Sequence, residues 1–159
     1  MSEELPVEEV ISALEDYQRR TIDLYRENPG DPESCVKALV RLHLSWTEED
    51  PERARMVARH RNAVIAGPGR DRLNESNRAY FAETKRWIDE SVEAGEMPPV
   101  SFNVMHALVF APTQELAKHW LGGRLGKEPT AYAAQMGEAA WAGLLAAGNA
   151  SRNAEGAGR

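Results

Sequence analysis

A chain of 159 residues with 42% apolar and 28% charged side chains has the size of one domain and the composition of an ordinary globular protein, long enough to bury a sizeable core. The lone Cys35 excludes an internal disulfide and a multi-cysteine zinc site, and a net charge of −6 opposes the counterion release that drives non-specific DNA binding. That charge is uneven: residues 1–50 carry 5 basic and 13 acidic side chains, residues 51–88 carry 9 and 4, and residues 89–159 carry 5 and 8.

The first helix opens at Leu5-Pro6, where a proline costs no hydrogen bond. Val7, Val10, Ile11, Leu14, Tyr17, Thr21, Ile22 and Tyr25 then mark one stripe, and Asn28-Pro29-Gly30 ends it. Asp31-Pro32-Glu33 starts the second helix, with Asp31 as cap and a stripe through Val36, Leu39, Val40, His43 and Trp46. Asp50-Pro51-Glu52 repeats the start signal for a third helix that runs to about Ile65. Gly67-Pro68-Gly69 precedes a fourth, about Arg70 to Ala94, stopped by Gly95. A fifth follows from about Ser101 to Leu121, ended by Gly122-Gly123, and a sixth covers about Thr130 to Ala147. From Gly148 to Arg159 the residues are small and polar, which predicts a disordered tail. No strand-like alternation is present, so the fold class is all-α with six helices in a single domain over residues 1–147.

The fifth helix departs from the usual surface pattern. Phe102 to Leu121 is apolar on nearly every side, with Pro112 in its middle. A helix that is apolar all round must bury most of its circumference, and in a chain this short a second copy of the protein is a source of that cover. No apolar run reaches the roughly 18 residues of a membrane span, because Glu115, Lys118 and His119 interrupt the best candidate. The acidic start, Met1 to Asp16, lacks the basic region of a signal peptide. A soluble, cytoplasmic protein with no membrane partner is the expectation.

The order of these elements carries a resemblance. A long fourth helix ending in Glu93-Ala94-Gly95-Glu96-Met97, then Pro98-Pro99, an apolar helix closing in Trp120-Leu121-Gly122-Gly123-Arg124, and a last Ala/Leu helix resemble the C-terminal domain of TetR-type transcriptional regulators. Ser2-Glu3-Glu4-Leu5 and the helix to Tyr25 are similar to the family's connecting helix, which follows the DNA-binding head. The resemblance covers about residues 3–147. It implies a homodimer in which the last two helices form a four-helix bundle, and a cavity for a small-molecule effector among the first five. The family's helix-turn-helix head is not represented in these residues, so this chain alone is expected not to bind an operator.

Eight residues on expected inward faces are aromatic or polar-tipped and are the candidate ligand-binding set. They are Tyr17, His43 and Trp46 on the first two helices, Tyr80, Thr84 and Trp87 on the fourth, and Phe102 and His106 on the fifth. The same spacing suits plain core packing, with polar tips satisfied by neighbours. Leu108, Val109, Leu116 and Trp120 on the fifth helix, with Met136, Trp141, Leu144 and Leu145 on the sixth, are the candidate dimer interface; the alternative for each is the core of one subunit. Pro112 is expected to bend its helix.

Arg53, Arg55, Arg59 and Arg61 cluster with His60 on the third helix, reading either as a site for an anionic ligand or partner or as a solvated face balancing the acidic first helix. Metal binding has little support: histidines at 43, 60, 106 and 119 form no short cluster, and Glu115 with His119 supplies only two ligands. The paired Glu-x-x-His of helical di-iron proteins is absent, and Gly122-Gly123-Arg124-Leu125-Gly126 follows a helix where a phosphate loop follows a strand. The expectation is therefore an effector-sensing, dimerising domain of TetR type, without cofactor or metal and not an enzyme. Two alternatives stand beside it: a small all-α enzyme using the same cavity, and a headless interaction partner of full-length regulators.

Overall fold

A computed structural model of the chain describes residues 4–157 and is all-helical, with no strand among them. Helix starts follow local capping chemistry. α1 (Val7–Glu27) begins just after Pro6, and Asp31 and Asp50 cap α2 (Pro32–Glu49) and α3 (Pro51–Ala66). Each carboxylate accepts from a backbone N–H three residues on, Ser34 and Arg53, at 3.0 Å. α4 (Arg70–Glu93) ends in a left-handed Gly95, φ 73°, where the Gly95 N–H donates to the Val92 carbonyl and the Glu96 N–H to the Ser91 carbonyl, both at 3.0 Å. A side chain at that φ would be strained, so the glycine sets the turn.

The fifth helix is one continuous rod in three parts: α5 (Phe102–Met105), a π-helical turn (His106–Phe110) and α6 (Ala111–Leu121). The expected distortion at Pro112 takes this form. Proline has no N–H for the Leu108 carbonyl and its ring crowds that carbonyl, so the preceding turn widens. The Ala111 N–H reaches back five residues to the His106 carbonyl. Thr113 Oγ1 donates to the Val109 carbonyl at 2.8 Å, the same bond four residues back that Thr21, Thr47 and Thr84 make in their helices. A 3₁₀ turn (Pro129–Tyr132) then leads into α7 (Ala133–Ala157), pinned to α2 by Glu48, whose Oε1 accepts from Thr130 N at 2.6 Å and Thr130 Oγ1 at 2.7 Å.

The disordered tail expected from Gly148 to Arg159 is not what the structure has: α7 continues to Ala157, and residues 158–159 lie outside the described residues. Alanines at 150, 154 and 157 keep helix propensity high. Gly148 is also a packing residue rather than a break, since a Cβ there would meet Pro98 Cγ at 2.4 Å.

α2 is the central helix. One side packs on α1 and α3, the other on α7, α6 and the π turn. Its buried Val36, Leu39, Val40 and Leu44 share a core with Met105, Val109 and Phe110 of the rod and Leu144 of α7. α7 runs antiparallel to the rod, with Gly143 beside Leu108 and Gly148 beside Pro98. α4 closes the opposite side against α1.

Candidate functional site

Where α1, α2, α3, α4 and the rod converge, the helices leave a cavity of about 510 Å³, within the usual range of small-molecule sites. Small residues make the room: Ala54 and Ala58 on α3 and Ala117 on α6 stand where longer side chains would reach across. Buried Trp46, Val57 and Phe110 form the floor, and the exposed lining residues Arg61, Phe81, His106, Gln114 and Lys118 mark the mouth.

The inner wall is a set of interlocked rings. Tyr17 meets His43 edge-on (centroids 5.3 Å apart, planes at 89°) and Trp46 likewise (5.6 Å, 74°). The Tyr17 hydroxyl and His43 Nδ1 lie 2.9 Å apart. Burial holds His43 near a pKa of about 4, well below its ordinary value, and pushes the Tyr17 phenol up. Both groups are therefore neutral at pH 7, and one hydrogen bond joins the phenol oxygen to the ring nitrogen. Trp46 is fixed from outside: its indole N–H donates to Asp16 Oδ2 at 3.3 Å, and the Arg53 guanidinium lies 4.1 Å from the ring centroid. Gln18 Nε2 donates to Asn77 Oδ1 at 2.8 Å, joining α1 to α4 in the cavity wall.

No protein-family model matches this sequence, and no curated protein is a significant match. The side chains themselves must carry the reading.

Six of the eight candidate ligand residues line this one cavity: Tyr17, His43, Trp46, Tyr80, Phe102 and His106. Thr84 and Trp87 do not, and on these two the candidate set is corrected. Thr84 Oγ1 donates to the Tyr80 carbonyl at 3.0 Å, which leaves its oxygen to accept from the Tyr25 hydroxyl at 3.2 Å. Trp87 stacks on Tyr25 with centroids 5.1 Å apart. They belong to a sealed core one helical turn beyond the cavity.

The dimer candidates divide. Val109 and Leu144 are fully buried within their own subunit and offer a partner nothing, because α2 covers them. Leu108, Leu116, Met136 and Trp141 are half-buried against the same core, and Trp120 and Leu145 are also half-buried.

The arginine cluster also divides. Arg53 serves α1 and α2, donating to the Trp46 carbonyl at 3.1 Å and lying 3.9 Å from Asp16. Arg55 pairs with Glu52 at 2.7 Å. Arg61 alone of the four lines the cavity. Sequence reasoning passed over Gln18, Asn77, Gln114 and Lys118. Each lies one residue, or one turn, from an apolar stripe position and carries no aromatic signal of its own. Among the described residues no three His, Cys, Asp or Glu come together as a metal site, no helix is long and apolar enough to cross a membrane, and Cys35 is buried with its thiol pushed up to about 12.

Proposed function

We propose that this chain is an effector-sensing and dimerising domain of TetR type, taking a small molecule into the aromatic cavity. The observation that carries the reading is the cavity itself, lined by α1, α2, α3, α4 and the rod, the five helices among which the TetR resemblance implies an effector site. Its chemistry favours binding over catalysis. No Asp, Glu, Ser or Cys is among the lining residues, and the one buried imidazole faces a tyrosine hydroxyl rather than an acid that could orient it as a base.

The α1–α4 contact gives a ligand something to act on. Gln18–Asn77 closes the seam at the cavity wall, while Arg72 spans it farther along with Glu15 at 3.0 Å and Glu8 at 2.9 Å. An occupant that takes over the amide groups of Gln18 or Asn77 loosens that seam and favours one α1–α4 arrangement over another. The size of the shift equals the ligand's difference in affinity for the two states.

Dimerisation rests on the rod and α7. Residues 102–114 and 139–151 carry no Asp, Glu, Lys or Arg, and Val104, Ala107, Ala111, Ala142 and Ala146 are exposed on them. Small exposed side chains let helices approach closely, and a stable interface needs roughly 800 Å² per partner. Two measurements test the proposal together. Sedimentation equilibrium at micromolar concentration gives a dimer that Ala142→Glu converts to monomer. The neutral probe N-phenyl-1-naphthylamine gains fluorescence in the cavity, and Ala58→Trp, which fills the mouth from its exposed side, abolishes the gain. A monomeric parent protein overturns the dimer, and equal probe binding by Ala58→Trp overturns the cavity as a ligand site.

A further inference from the structure

The cavity is electrically one-sided, and this narrows what it takes, given that it is a ligand site as proposed above. Its two charged lining residues, Arg61 from α3 and Lys118 from α6, are both cationic and both exposed at the mouth. Neither makes an ion pair among the described residues, although Arg53 and Arg55 on the same helix as Arg61 are both matched with carboxylates. In a chain of net charge −6, a cavity lined by two cations and no carboxylate is a local reversal of sign.

Depth matters as much as sign. Burial alone keeps the imidazole of His43 uncharged, and it raises the Tyr17 phenol, so the floor is hostile to charge of either sign. Burial first, and Arg61 after it, lowers the proton affinity of His106 at the mouth, and the same guanidinium opposes the larger effect of burial at Tyr17. With both histidines neutral, the positive potential comes from Arg61 and Lys118, at the entrance only. Exposed Phe81, edge-on to Phe102 with centroids 4.8 Å apart, provides an apolar rim beside them.

We infer that the ligand class is an amphipathic organic anion: a flat or chain-like apolar body seated among Tyr17, Trp46 and Phe110, with one acidic head held at the mouth by Arg61 and Lys118. Arginine suits the head because its planar fork can donate two parallel hydrogen bonds to a carboxylate or sulfonate. Lysine adds a movable point charge. A cationic or zwitterionic body is disfavoured, since it meets like charge on entry and finds no carboxylate within.

The test uses a matched pair of probes on the full chain. 1-Anilinonaphthalene-8-sulfonate and N-phenyl-1-naphthylamine share the same ring system and differ by the sulfonate. The anionic probe binds roughly tenfold more tightly at low salt. Each of Arg61→Gln and Lys118→Gln reduces that preference, read as the ratio of the two probes' affinities in the same variant, about threefold, and the double variant removes it. Raising the salt to 0.5 M shrinks the preference, as expected for charges at an open mouth. Equal affinities for the two probes in the parent, or a preference that survives the double variant, overturn this inference while leaving the cavity as a ligand site. Binding of neither probe, or binding undiminished by Ala58→Trp, instead removes the reading on which it rests. Both arginine and lysine variants lie on the surface, so a thermal melt within about 2 °C of the parent confirms that each change reads binding rather than folding.

Discussion

Two tyrosines on α1, two turns apart, occupy opposite kinds of space. Tyr25 is sealed, stacked on Trp87 and donating to Thr84, with α4 drawn tight against it. Tyr17 stands at the edge of a hollow, touching His43 and Trp46 edge-on and bonded to a ring nitrogen. Both are aromatic, both sit on the same stripe, and both have raised phenol pKa values through burial. The difference comes from what faces them. Opposite Tyr25 the fourth helix offers a tryptophan; around Tyr17, α3 and α6 offer alanines. Whether an aromatic stripe becomes core or cavity is decided by the size of residues on other helices.

The contrast is broken most sharply from the sealed side. Leu144→Ala deletes a fully buried side chain where α7 meets α2. It is expected to cost about 3–5 kcal/mol, read by urea denaturation, with probe affinity in the surviving folded protein unchanged. A large loss of probe binding at unchanged stability would mean that the two regions are not separate. His43 gives the next effect, through pH. Its folded pKa of about 4 lies below the ordinary value of 6.5, so the unfolded chain binds the extra proton and stability falls as pH drops through that interval. Between pH 7.5 and pH 5 the loss from this residue is about 2 kcal/mol, and His43→Gln, which has no titratable ring, removes that slope. An unchanged slope would place His43 in water. The smallest effect belongs to Phe81→Ser at the mouth: stability within about 0.5 kcal/mol of the parent, because the ring is 46% exposed, yet weaker binding of both naphthalene probes by severalfold.

Much of the helical frame was legible from punctuation. Asp31-Pro32 and Asp50-Pro51 cap helices where expected, and Gly95 and Gly123 close them in the left-handed conformation. These signals act within four residues, so a sequence displays them directly. The cavity was half legible. Periodicity placed Tyr17, His43, Trp46, Tyr80, Phe102 and His106 on inward faces of four helices, and all six residues line the cavity. It placed Thr84 and Trp87 there equally well, since nothing local to α4 says that Tyr25 will fill the space they face. Leu144 and Val109 misled for the mirror reason: α2 hides them, and that contact joins residues about a hundred and about seventy positions apart. The end of α7 was misread because Gly148 has a breaker's composition and a packer's role.

The widened turn ahead of Pro112 does more than accommodate a proline. On an uninterrupted α-helix, positions 102 and 114 differ by about 120° around the axis. One extra residue absorbed without rotation cuts that to about 20°, which is why Phe102, His106, Phe110 and Gln114, each four apart, all look into the same hollow. Part of the helix's seemingly circumferential greasiness is thus a phase error in the ruler: a single stripe, measured with the wrong pitch, smears around the barrel. The proline works as a vernier, and shifting it by one position would swing half the wall out of register with the other half.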